Sequence, residues 1–160
     1  GLPEAGEVAM SHSAKLAELG IELPPVAKPL AAYQPAVRSG NLVYTSGQLP
    51  MRDGALLMTG KVGAEVSGED AYGYARQAAL NAIAAVDARV GIDNVARVLK
   101  IVGFVASDPA FTGQPGVING ASHLLGDVFG DAGVHARSAV GVVELPLGAP
   151  VEVELIVEVA

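Results

Sequence analysis

The 160-residue chain contains no cysteine. Disulfide bridges, thiolate zinc sites and a cysteine nucleophile are therefore excluded. Basic residues are also scarce: ten lysines and arginines stand against 17 acids, for a formal net charge of -7 at pH 7. Such a chain repels a polyanion on average, so RNA or DNA would need a local basic patch. The sequence offers none, since Lys28, Arg38, Arg52, Lys61, Arg97 and Lys100 are scattered singly. No apolar run reaches the ~20 residues of a membrane helix. The three histidines, His12, His123 and His135, show no metal-ligand spacing, and His123 and His135 read as surface or interface residues. The first nine residues lack the basic start and long apolar stretch of a secretory signal, which points to a cytoplasmic protein. Met10-Ser11 also suits a native start, with residues 1–9 then a foreign leader.

Hydrophobic side chains make up 51% of the chain. They are concentrated in short β-rich runs, so the expected core is a sheet. An apolar chain without a membrane segment has surface to bury, which predicts an oligomer. One domain fits the length, with residues 1–26 an N-terminal extension and 27–160 the domain.

Local patterns set the element order. Residues 14–20 read as a short helix closed by Gly20, and Pro24-Pro25 force an extended path. Val43, Tyr44 and Thr45 favour a strand, paired with Ala36-Val37-Arg38 through the turn residues Ser39-Gly40-Asn41 and ended by Pro50. Ser67 and Asp70 resemble a capping box before a long helix over 68–90. There Ala71, Ala75, Ala78, Ala82 and Val86 recur at helical spacing, and Gly91 is the stop. Val95 to Val105 is an almost continuously apolar strand, suited to burial on both faces. A second helix is expected over 115–129, with Leu124, Leu125, Val128 and Phe129 on one face. In the last segment Val151, Val153, Leu155, Val157 and Val159 alternate with Glu152, Glu154, Ile156 and Glu158. It reads as a hairpin with Ser138–Leu145 about a turn near Gly148. The expected fold is α+β, with two helices packed on one mixed, mostly antiparallel sheet.

Several strings resemble the RidA/YjgF family, also called L-PSP. Ser46-Gly47-Gln48-Leu49-Pro50 matches that family's S-G-Q-[IL]-P, and Ala136-Arg137-Ser138-Ala139-Val140 matches A-R-[ST]-x-V. Leu145-Pro146 with Val151-Glu152-Val153-Glu154 matches L-P…[VI]-E-[VI]-E, and Tyr33 precedes the hairpin as the family's tyrosine does. The resemblance implies a chorismate-mutase-like homotrimer that hydrolyses reactive imines and enamines at a site between subunits, with no cofactor and no metal. Carried over by position, Arg137 would hold a substrate carboxylate and Glu152 would position or activate water. Tyr33, Ser46, Gly47 and Asn119 would line the pocket. Two departures stand out. His135 occupies a place often held by proline, and the stretch from Asn119 to Arg137 is about a residue longer than the family's usual spacing.

The residue types suit that chemistry. An imine of a 2-oxo acid is already electrophilic, so hydrolysis needs orientation, a proton path and a water more than a nucleophile. Arginine's planar fork binds both oxygens of a carboxylate. Each residue also has a plainer reading: Glu152 as one of a row of solvated acids, Ser46-Gly47 as a strand-end kink, Tyr33 as packing beside the hairpin. A trimer that binds small carboxylates without turnover is the alternative, and an endoribonuclease is disfavoured by the acidic balance. In the expected hairpin Glu152 lies near Glu144, and Arg137 is roughly 23 Å away at about 3.3 Å per residue. The two could then share a substrate only across a subunit boundary.

Overall fold

The computed structural model describes residues 10–26 and 32–160. The possible leader, residues 1–9, and Lys28 lie outside them. The chain runs α1 (His12–Glu18), β1 (Ala36–Ser39), β2 (Leu42–Thr45), β3 (Met51–Arg52), β4 (Ala55–Leu56), α2 (Gly68–Val90), β5 (Val95–Ala106), α3 (Gln114–Phe129), β6 (Ala136–Val142) and β7 (Val151–Val159). The main sheet has the order β1-β2-β7-β5-β6, while β3 and β4 form a separate two-stranded ribbon. All neighbours in the main sheet are antiparallel except β5 and β6, which are parallel.

Local chemistry explains the helices. Ser11 caps α1 by accepting from Ala14 N at 3.2 Å, and Leu16 of α1 is buried in the core. Asp93 accepts from both the Ser13 amide and hydroxyl, at 2.8 and 2.6 Å, which ties α1 to the start of β5. Ser67 caps α2 by accepting from Asp70 N at 3.0 Å. The alanine face of α2 is buried as expected, yet so are Gln77 and Asn81. Gln77 Nε2 donates to Asn81 Oδ1 at 3.3 Å, and Asn81 Nδ2 donates to the carbonyls of Leu49 and Met51 at 2.9 and 3.0 Å, so the two buried amides are satisfied and pin the start of the β3 ribbon to α2.

The expected C-terminal hairpin does not form. β6 pairs in parallel with β5, and β7 lies between β2 and β5. The segment between them straddles the end of β5, where the Ala106 and Ser107 amides donate to the Pro150 and Val142 carbonyls at 2.9 and 3.0 Å. Burial explains the choice. The five alternate apolar side chains of β7 are all buried, and each buried Val or Leu contributes about 1.5–3 kcal/mol. A central position covers that whole face with helices. β6 carries Arg137 and Ser138 just after its first residue, Ala136, and is nowhere fully buried, which suits an edge.

The register also assigns the faces. Paired residues point to the same side of a sheet, and neighbours along a strand alternate. Arg137, Ile101 and Leu155 form one row, and Ile101 and Leu155 are buried, so this row faces the helices. Val140, Phe104 and Glu152 form another. Phe104 lies three residues beyond Ile101, so that row faces away from the helices. On this open face Val37, Tyr44 and Val140 are 51%, 41% and 44% exposed.

Candidate functional site

The residues singled out in the sequence fall into two clusters. The first gathers on the open face where β2 ends. Ser46 Oγ donates to the Gln34 carbonyl at 2.6 Å, and the Ser46 amide donates to the Pro35 carbonyl at 2.8 Å. These bonds hold the segment after Tyr33 against the Ser46-Gly47 kink, and the Tyr33 side chain is 46% exposed. Gln48 and Val153 exchange backbone hydrogen bonds of 2.8 and 3.0 Å, which sets Gly47 beside Glu152. A Cβ on Gly47 would lie 2.7 Å from Glu152 Cδ. The glycine is therefore what lets the carboxylate lie flat on the backbone. Glu152 is half-buried. Burial raises its carboxyl above the usual range, and the nearby Glu154 charge pushes it the same way.

The second cluster is on the helix side of edge strand β6. Arg137 Nη1 donates to Asn119 Oδ1 at 2.8 Å and to Ser122 Oγ at 3.3 Å. Asn119 and Ser122 are three residues apart on α3, hence on one helix face. Both acceptors are neutral. Among the described residues Arg137 makes no salt bridge, so a half-buried guanidinium is aimed by one nitrogen and keeps the rest of its fork for an anion. Ser122 was not anticipated, although its i+3 spacing from Asn119 on a predicted helix was a usable signal.

The two clusters do not meet within the chain. Three residues along β5 separate the Arg137 row from the Glu152 row, and two strand spacings lie between β6 and β7. That places the backbones roughly 14 Å apart, with side chains on opposite faces. The 23 Å expected from a hairpin is thus corrected, because the premise of direct β6–β7 pairing fails. Two clefts, of about 610 and 380 Å³, are lined by other residues and include neither Arg137 nor Glu152.

Of the histidines, His12 Nε2 lies 2.9 Å from the Val95 carbonyl and His123 Nδ1 lies 2.8 Å from the Tyr72 hydroxyl. His135 is half-buried. Among the described residues no group of three or more His, Asp or Glu side chains is placed to hold a metal ion. No helix there is long and apolar enough to cross a membrane.

A five-stranded mixed sheet, helices along one face and the other face left open define a chorismate-mutase-like α+β protein. The model of the family described as "YjgF/chorismate mutase-like, putative endoribonuclease" matches residues 13–159, and the chain belongs to that family. It is 46% identical over 148 residues to Protein TCP17 of Trypanosoma cruzi, covering 91% of this chain and 92% of that protein. Among solved structures it is similar to Atu1372 of Agrobacterium tumefaciens, described as of unknown function, at 45% identity and TM-score 0.86, covering 93% and 92% of the two chains. A Shewanella oneidensis relative, described as "a putative endoribonuclease", is 32% identical with TM-score 0.91, covering 94% and 100%.

Proposed function

We propose that this protein hydrolyses reactive 2-imino acids and their enamine tautomers, of the 2-iminobutyrate and 2-aminoacrylate type, to 2-oxo acids and ammonia. The site would lie between protomers of a homotrimer. The observation that carries this reading is the state of Arg137: oriented by two neutral acceptors, half-buried and without a carboxylate partner among the described residues. Such a guanidinium calls for a small acid.

Glu152 supplies the second function. As the carboxylate it takes a proton from water and passes it to the imine nitrogen as the water oxygen bonds to C2, and it then carries the hydroxyl proton of the adduct to the amino group, ending ionised again. Collapse of this adduct breaks the C–N bond and yields the 2-oxo acid and ammonia, so one imine and one water give one ketone and one ammonia. No cofactor is needed. Because Arg137 and Glu152 lie on opposite faces of one sheet, a second protomer must bring a Glu152 to each Arg137. The apolar side chains left exposed on the open face, Val37, Tyr44 and Val140, favour such an assembly. Escherichia coli TdcF, solved with bound serine, is 23% identical with TM-score 0.62 over 86% of this chain and 94% of its own. It shares the fold, and its ligand is a small amino acid of the size proposed here.

The test is turnover of 2-iminobutyrate generated in situ, with release of 2-oxobutyrate and ammonia measured against buffer alone. Acceleration with trimer-sized particles in light scattering is the expected result. Absence of any acceleration would overturn the enzymatic reading and leave a carboxylate-binding trimer. The family's endoribonuclease description is not the reading favoured here, since 17 acids oppose ten basic residues and RNA cleavage would need a phosphate-binding surface.

Two further outcomes are expected. Gly47→Ala places a methyl group against a flexible carboxylate rather than against backbone, so the protein should fold normally. Displacing Glu152 should nevertheless lower kcat by roughly 10- to 100-fold, with thermal melting and steady-state rates read side by side. The raised Glu152 pKa also has a signed consequence. The folded state disfavours the ionised form, so a stability penalty is present above the folded pKa and absent below the ordinary carboxylate range. Glu152→Gln should therefore melt at or above wild type at pH 8, the advantage fading as pH falls, while losing most activity at every pH.

A further inference from the structure

We propose that His135 recognises the nitrogen of the substrate: its Nε2 accepts a hydrogen bond from the N–H of a 2-imino or 2-amino acid whose carboxylate is held by Arg137. This assignment rests on the proposed ligand class of Arg137 and goes beyond it by naming the group that tells nitrogen from oxygen at C2.

The tautomer comes first. His135 Nδ1 lies 3.0 Å from the Ala136 carbonyl oxygen. A carbonyl can only accept, so Nδ1 carries the hydrogen and the neutral ring must present Nε2 as a lone pair. Among the described residues Nε2 has no hydrogen-bond partner. Position comes second. Exposure alternates from Val134 to Arg137, with Val134 and Ala136 exposed and His135 and Arg137 half-buried, as expected for extended chain entering β6. His135 and Arg137 therefore lie on the same side, roughly 7 Å apart along the backbone at about 3.3 Å per residue. Side chains two residues apart on one side of an extended strand are neighbours, which suits a small 2-substituted acid that contacts both.

Charge comes third. Burial is the largest influence on the ring and lowers its pKa, and the Arg137 charge lowers it further, against the opposing pull of the Ala136 bond. Arg137 is the one charged group among these influences. At neutral pH the lone pair is thus available. An imine or amine N–H meets it as a donor, whereas the keto oxygen of the product meets it lone pair to lone pair. The same residue would hold substrate and let product go. Below the ring's pKa, Nε2 becomes a donor and the preference inverts.

The test uses the intact oligomer with ¹⁵N-labelled histidine, titrated with 2-aminobutyrate and with 2-oxobutyrate. At pH 7.5 the amino acid should shift the His135 Nε2 resonance, and His135→Leu should weaken its binding about tenfold, the loss of one hydrogen bond. Binding of 2-oxobutyrate should be unchanged or tighter in that variant. The KM for 2-iminobutyrate should rise by a similar factor with kcat retained, and His135→Gln, whose side-chain oxygen can accept, should recover part of the loss. Equal amino-acid affinity and equal KM in wild type and His135→Leu would overturn the proposal while leaving the imine hydrolase reading intact. Binding that depends on His135 in a protein without imine turnover would sustain the recognition role and remove the catalytic one.

Discussion

Arg137→Ala is expected to lower kcat/KM for 2-iminobutyrate by about 30- to 1,000-fold, the effect of losing about 2–4 kcal/mol of charge-assisted hydrogen bonding to a carboxylate. The truncated side chain leaves Asn119 Oδ1 and Ser122 Oγ, its partners at 2.8 and 3.3 Å, in reach of water, so stability should change little. Equal rates in both proteins would remove Arg137 from the mechanism. A mixing experiment sharpens the point. Arg137→Ala protomers keep Glu152, and Glu152→Gln protomers keep Arg137. If each site draws one residue from each of two neighbours, dissociating and reassociating the two inactive proteins in equal amounts restores about a quarter of the sites by random assembly. Persistent inactivity of the mixture, with heterotrimers shown by native mass spectrometry, would place both residues in one protomer's site. The register argues against that, because Arg137 shares its row with buried Ile101 and Leu155 while Glu152 shares its row with Phe104 on the opposite face.

Much of this was legible in the sequence. Alternation in Val151–Val159, the small-residue periodicity of Gly68–Val90 and the Ser67 cap are local signals, and each produced the element it specifies. The partner of a strand is not a local property. β6 and β7 are separated by only eight residues, which suggests a hairpin, but sheet order is decided by which strand gains most from a central place. That comparison needs the whole sheet. The same limit applies to the candidate site. Motifs pointed to Arg137 and to Glu152, and spacing could not reveal that one looks toward α3 and the other away from it. Gln77 and Asn81 escaped notice because a polar residue within an alanine-rich helix ordinarily faces water. Here Gln77 Nε2 donates to Asn81 Oδ1, and Asn81 Nδ2 donates to the Leu49 and Met51 carbonyls, which are near in space but about 30 positions away in sequence.

The largest expected effect on stability lies where the two long helices touch. Gly120→Ala should lower the melting temperature by about 10 °C, from a destabilisation of about 3 kcal/mol at the upper end of the range for overpacking. The added methyl would sit 2.0 Å from the Tyr72 carbonyl oxygen on α2. Backbone cannot swing aside as a side chain does, so α3 must shift away from α2. Gly126, on the same helix, has nothing within 4 Å of its would-be Cβ. Gly126→Ala should accordingly stabilise the protein by about 0.5–1 kcal/mol through helix propensity alone, and the opposite signs of the two substitutions separate contact from propensity. Gly120 is also adjacent in sequence to Asn119 and two residues before Ser122, the pair that aims Arg137. A displaced α3 therefore carries the guanidinium's acceptors with it. In the fraction of Gly120→Ala protein that remains folded at 20 °C, carboxylate binding should weaken even though no ligand-facing atom has changed. A variant that melts 10 °C lower yet binds 2-oxobutyrate as wild type does would show that Arg137 keeps its aim without α3.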